Sequence, residues 1–310
     1  MERYEKQPRP QRRARSRARL LILTLLLMAL AVLAAVVWIS FGRANAQQSR
    51  RRAAADAQTL PSTTPRPSRS ATPSPAFPSA AAIVRALDWA EDRAGEAGVA
   101  VVDNRGALHT YNAHRQFQSA SVAKAMLLVA YLRRHPRPTT AMRLTLRSMI
   151  EKSDNVSADT VYGLVGNRGL LGVAKLAGMR DFDVGTSWIN TRMTAADQAR
   201  FFYRYESYLP TRSIAFARQL LSGITPLQRW GIAAAAGTAG WKVFFKGGWL
   251  GEYNEVMNQA AWLERGGVRW SLAVLTDDNP TSSYGRQTQK GITGLLLGHK
   301  PTAAYLAVVR

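Results

Sequence analysis

The sequence predicts an α/β protein of the α+β kind: an antiparallel sheet drawn from both ends of a globular region, flanked by helices, with a trimmed all-helical lobe inserted between its strands. Three observations carry this. Two short strand-like runs separated by Asn104-Arg105-Gly106 stand early, a long stretch with helical periodicity follows, and three strand-patterned runs and a helix close the region. With 46% hydrophobic residues among 310, the chain can bury a sizeable core.

Four segments are expected along the chain. Residues 1–19 form a basic tail containing Arg9, Arg12, Arg13, Arg15, Arg17 and Arg19. Residues 20–41 carry no charge, and as a helix they would rise about 33 Å, enough to cross a hydrocarbon layer of about 30 Å. The arginines before this run should hold the N-terminus in the cytoplasm and place the rest outside. A membrane anchor or uncleaved signal is therefore expected, with a secreted product if cleavage follows the small-x-small sequence Ala44-Asn45-Ala46. Residues 42–80 are rich in Ser, Pro, Thr and Arg and read as a tether. Residues 81–310 form the globular domain.

The charge balance supports this division. The formal net charge is +22, yet residues 1–75 alone hold 14 basic and 3 acidic side chains. Beside a membrane-length apolar run such a cluster orients the chain, so no nucleic-acid partner is expected. The absence of Cys excludes disulfides, thiolate metal sites and a Cys nucleophile. The four histidines, His109, His114, His135 and His299, lie at no ligand spacing, so neither a metal nor another cofactor is expected.

Within the domain, Ile83, Val84, Leu87 and Trp89 give the spacing of an opening helix. Residues 98–103 and 107–111 form a hairpin. Helical periodicity covers 119–134, 141–151, 156–165, 168–178, 194–207 and 212–223. Strands are expected at 242–245, 253–264 and 268–276, and a last helix at 284–297.

Three short elements carry candidate chemistry. Ser121-Val-Ala-Lys124 opens a helix, and a spacing of three places hydroxyl and ammonium on one face, where they can touch. The neighbours Ala120, Val122, Ala123, Ala125, Met126, Leu127, Leu128 and Val129 are apolar, so Lys124 would be buried. A buried ammonium must be paired or lose its proton, which is how lysine becomes a general base. Ser153-Asp154-Asn155 occupies a turn between helices, where plain capping is the simpler account. Lys246-Gly247-Gly248 continues a strand, and its glycines allow close backbone approach, as a plain turn also would.

Taken in order, the three elements resemble the S-x-x-K, S-D-N and K-T-G set of class A beta-lactamases and penicillin-binding proteins. The likeness covers roughly residues 82–300. It implies a serine hydrolase in which Ser121 is the nucleophile, Lys124 its proton acceptor, Ser153 a proton relay and Lys246 a source of positive potential. It further implies that Asn155, Gly247, Gly248 and Trp249 line the substrate site, with the Ser121 and Trp249 amides holding the oxyanion. A beta-lactam or cell-wall peptide is the substrate so implied. A D-alanine peptidase of cell-wall stem peptides and a catalytically weak wall-binding ectodomain remain open beside it. A monomer is favoured.

Three departures from the pattern stand out. About thirty residues separate Ser121 from Ser153, roughly half the class A interval, so the lobe is trimmed. Gly247 removes the hydroxyl that the family offers to a substrate carboxylate. Where the family carries a loop Glu that activates the deacylating water, this chain reads Thr186-Ser187-Trp188-Ile189-Asn190, and no Glu lies between Glu151 and Glu206. Acylation followed by slow hydrolysis is the expected consequence.

Overall fold

The computed structural model describes residues 77–251 and 256–299. The basic tail, the apolar run at 20–41 and nearly all of the tether lie outside the described residues, as does the start of the strand expected at 253. Among the described residues no helix is long and apolar enough to cross a membrane.

Helix α1 (Ala80–Glu91) opens the fold, its first turn capped by the Ser79 hydroxyl accepting from the Ala82 amide. Strands β1 (Glu96–Val102) and β2 (Leu108–Tyr111) form the expected hairpin, with Val102 opposite Leu108. Strands β5 (Lys242–Leu250), β6 (Val256–Arg265) and β7 (Val268–Asp277) complete a five-stranded antiparallel sheet in the order β2-β1-β7-β6-β5. The last strand in sequence thus pairs with the first, Glu96 lying opposite Asp277. Helix α8 (Ser282–Leu296) returns to pack on α1, so closely that a Cβ on Gly291 would fall 2.4 Å from the Trp89 ring.

Between the hairpin and β5 lies the helical lobe. It holds a 3-10 turn at Ala120–Val122, α2 (Ala123–Arg134), α3 (Thr140–Glu151), α4 (Asn155–Ala177), α5 (Ala195–Tyr203), α6 (Thr211–Ser222) and α7 (Gly231–Thr238). The two helices expected at 156–165 and 168–178 form one element with non-helical backbone at Gly166 (φ 59°, ψ −175°), a break only glycine adopts without strain. The helix expected at 194–207 ends at Tyr203 and is followed by a 3-10 turn, Tyr205–Tyr208. Helix α7 was not expected, because its run of Ala between two glycines lacks an amphipathic period. Nor was the small pairing of β3 (Gln116–Gln118) with β4 (Arg192–Thr194), strands too short to show alternation.

Sheet and lobe share one core. Alternate residues of β1 and β7 are buried on both faces, so helices cover the sheet on either side. Phe244, Trp262 and Tyr205 stack in series from sheet to lobe, Phe244 and Trp262 lying 4.5 Å apart and nearly parallel, and Phe201 meets Tyr205 edge-on. Beside them Arg218 joins Glu206 at 2.5 Å and Glu264 at 2.6 Å, while Arg269 also reaches Glu206 at 2.5 Å.

Candidate active site

The site forms where the lobe meets the edge strand β5. Ser121 lies in the 3-10 turn that precedes α2, and Lys124 is the second residue of α2 itself. The turn is held from three directions. The Ser119 amide donates to the Thr191 carbonyl at 2.8 Å, and the Thr191 hydroxyl to Ser119 Oγ at 2.6 Å. Asn258 on β6 donates to the Gln118 carbonyl at 2.8 Å, and the Tyr205 hydroxyl to the Ala125 carbonyl, also at 2.8 Å. Ala120, directly before Ser121, has φ 46°, and Ser153 has φ 57°. Left-handed backbone at residues bearing side chains costs about 1 kcal/mol or more each and persists where surrounding packing enforces it. Two of the four such residues among those described flank this one cleft.

Strand β5 approaches the same turn without a gap. A Cβ on Gly248 would lie 2.6 Å from the Ser121 amide nitrogen and 2.8 Å from that of Val122. Glycine is required there, and it lets the strand backbone that continues into Trp249 run beside the Ser121 amide. A Cβ on Gly247 would meet the Trp230 ring at 3.2 Å, so the indole of Trp230 covers the place where a hydroxyl-bearing side chain would start. Trp230 stands edge-on to Trp249, with ring centroids 6.2 Å apart, and the Arg286 guanidinium lies 5.6 Å from its centroid. Trp249 is partly exposed, so the pair forms an aromatic rim.

Both lysines are fully buried and converge on one hydroxyl. Lys246 Nζ donates to Ser153 Oγ at 3.0 Å and to its neighbour's carbonyl, that of Gly247, at 2.8 Å. Lys124 Nζ donates to the Ser153 carbonyl at 2.5 Å, to Asn155 Oδ1 at 2.8 Å and to Ser153 Oγ at 3.3 Å. Burial pulls the Lys124 pKa down to about 8, against the opposing pull of Asp154 and Asp159. Burial, reinforced by the charge of Lys124, takes Lys246 well below the ordinary lysine value. Two ammonium groups sharing one oxygen in a dry setting cannot both be comfortable as cations, so the pair favours losing a proton. Asp154 acts on Lys124 through its charge alone, its carboxylate being held as the cap of α4 by accepting from the Ser157 amide at 2.7 Å.

The structure therefore gathers Ser121, Lys124, Ser153, Asn155, Lys246, Gly247 and Gly248 into one cleft and sets Trp249 at its rim. It differs from expectation on one contact. Among the described residues the Ser121 hydroxyl has no hydrogen-bond partner, and Lys124 spends its donors on the S-D-N turn. Sequence spacing gave the right face but not the partner, because the left-handed Ser153 presents both its carbonyl and its hydroxyl to the ammonium.

Sequence reasoning missed the opposite wall. Residues Trp188–Asn190 form a 3-10 turn whose Trp188 and Ile189 carbonyls accept from Ser119 Oγ at 3.3 and 3.5 Å. The Trp188 side chain is 3% exposed, its ring centroid 4.8 Å from Lys124 Nζ, and its Nε1 donates to Asp159 Oδ1 at 2.7 Å. Asp159 follows Asn155 by four residues on α4, a spacing that does signal a shared face. Among the described residues no group of His, Cys, Asp and Glu side chains is placed to hold a metal ion.

Residues 134–297 match the profile of the beta-lactamase enzyme family, a stretch that includes the S-D-N and K-G-G elements and begins after Lys124. No curated protein matches the chain. Solved structures with the same fold include a beta-lactamase from Sphaerobacter thermophilus, 19% identical with a TM-score of 0.61 over 72% of this chain and 99% of that one. A class A beta-lactamase from Mycobacterium abscessus is 21% identical, TM-score 0.60, over 70% and 98%. One described as representative of class A, from Bacteroides cellulosilyticus, is 16% identical, TM-score 0.62, over 70% and 96%.

Proposed function

We propose, from the premise that this chain belongs to the beta-lactamase enzyme family and is a serine hydrolase acting on amide bonds, that Ser121 takes the acyl group of a beta-lactam or related amide and releases it slowly. The observation that carries the reading is the convergence on Ser153 Oγ of two buried lysines, one of them a helical turn from Ser121, whose amide is backed by Gly248 of β5.

In this reading neutral Lys124 accepts the Ser121 proton as Oγ attacks the carbonyl carbon. Substrate binding to the Asn155 amide would free the Lys124 amine, one helical turn from Ser121, to take up that proton. The Ser121 and Trp249 amides stabilise the oxyanion. The C–N bond then breaks, and the leaving nitrogen takes a proton through Ser153, whose oxygen both lysines can resupply. Lys246 keeps the local potential positive for an anionic substrate.

Hydrolysis of the resulting ester needs a base for water. At the loop position where the family supplies a carboxylate this chain has Thr186, and the side chain that faces Lys124 from the same loop is the Trp188 indole; neither can accept that proton. Loss of such a base slows a step by about 10² to 10⁴. The domain would act outside the cytoplasm, held by residues 20–41 or released by cleavage. Exposure of the protein to a fluorescent penicillin, with Ser121→Ala beside it, tests the reading: label on wild type alone supports it, and absence of label on both refutes it. A wall-binding ectodomain of low activity is favoured by the covered Gly247 and the loop indole, and it predicts binding of cell-wall peptides without any adduct.

A further inference from the structure

We infer that Asp159 is a positioning residue for Lys124: it holds the Trp188 indole against the ammonium and adds to that of Asp154 a second negative charge that favours the protonated lysine. The inference rests on the reading of Lys124 as the proton acceptor of acylation.

The geometry comes from three elements. Helix α4 brings Asn155 and Asp159 to one face a single turn apart, and Asn155 Oδ1 accepts directly from Lys124 Nζ at 2.8 Å. The loop brings Trp188, whose Nε1–H reaches Asp159 at 2.7 Å while its ring lies 4.8 Å from the same ammonium. A cation over an indole face is favoured as a cation. The loop is tied on its other side to Ser119, two residues before the nucleophile, so the indole is fixed between the turn that carries Ser121 and the carboxylate on α4. Asp159 itself is exposed at the mouth of the cleft, whereas Trp188 is buried beneath it.

The groups that face Lys124 can be counted by element. From the S-D-N turn come the Ser153 carbonyl and hydroxyl and the Asp154 charge, from α4 Asn155 and Asp159, from the loop the indole, and from β5 the Lys246 amine. Burial and Lys246 disfavour the ammonium, while Asp154, Asp159 and the ring favour it. Asp154 acts through its charge while capping α4, and Asp159 is the carboxylate whose hydrogen bond leads back to Lys124 through the ring. Removal of its charge must lower the pH at which Lys124 gives up its proton.

The test uses the full-length protein in detergent, labelled with ¹³Cε-lysine, the Lys124 signal being assigned by its loss in Lys124→Met. Its titration is followed by NMR, and the pH profile of Ser121 acylation by a fluorescent penicillin is measured on the same samples. Asp159→Asn keeps an acceptor for the Trp188 N–H but no charge, and it should move the Lys124 midpoint about half a unit to one unit toward acid. The acidic limb of acylation should move with it. Asp159→Glu should restore both. A midpoint that stays in place or rises in Asp159→Asn overturns the inference, whether or not Ser121 is acylated. A midpoint that moves while no variant is ever acylated leaves the role of Asp159 standing and removes the proposed function instead.

Discussion

The two walls of the cleft meet the same substrate space with opposite chemistry. On one, the 3-10 turn, the S-D-N turn and β5 bring two amines to a single hydroxyl and a glycine strand against the Ser121 amide. On the other, residues 186–190 bring a buried indole and backbone carbonyls, and the nearest carboxylate, Asp159, is engaged by that indole. In the proposed reading the first wall supplies what bond formation to Ser121 requires, and the second offers no free base for release of the acyl group. Formation and breakdown of a covalent intermediate then draw mainly on different pieces of chain, coupled where the Trp188 ring and Asp159 face Lys124.

The contrast is broken most completely by Ser121→Ala, which should reduce acylation by at least about 10³-fold and leave ligand binding nearly intact, as read by penicillin labelling beside equilibrium binding. Next in size, supplying the second wall with a base should sharpen it. Trp188→Glu combined with Asp159→Asn, the latter to avoid two adjacent carboxylates, should shorten the adduct lifetime by about 10²-fold, with little change in the rate of its formation when both are measured above the Lys124 midpoint, where the lysine is neutral either way. An unchanged lifetime would show that the loop is not what limits release.

Smaller effects probe the first wall. Below about pH 8 acylation should fall by about tenfold per pH unit, because Lys124 must be neutral to accept the Ser121 proton. A rate that is flat from pH 6 to 9 would contradict the assignment. Gly248→Ala pushes a methyl group into the Ser121 and Val122 amides, backbone atoms with little freedom to retreat. It should destabilise the domain by about 1–3 kcal/mol, seen by thermal unfolding, and slow acylation. Gly247→Thr meets the Trp230 ring edge, which can yield by a few tenths of an ångström. Its cost should be a few-fold at most, and less when Trp230→Ala makes room.

How far the site was legible in the sequence follows the same division. Ser121, Lys124, Ser153, Asn155 and Lys246 are readable because each belongs to a short motif whose spacing reflects one helix turn or one strand. The sheet is readable because β1 and β2 flank a tight turn and β5, β6 and β7 alternate or run apolar between glycines. The second wall is not readable in this way. Trp188 and Asp159 meet across 29 residues through a side-chain hydrogen bond that no local pattern encodes. Helix α7 and the β3–β4 pair escaped for a related reason: both are short and fixed by tertiary contacts rather than by periodicity. The Lys124 hydrogen bonds were misjudged because the left-handed backbone of Ser153 cannot be inferred from the residue type.

The claim that the cleft forms an acyl-enzyme it cannot readily discharge is tested most directly by a time course of intact-protein mass after one brief exposure to a penicillin. The account predicts a single adduct, mapped by peptide analysis to Ser121, that persists for many minutes. No adduct at all, or an adduct lost within milliseconds with continuous product release, would contradict it.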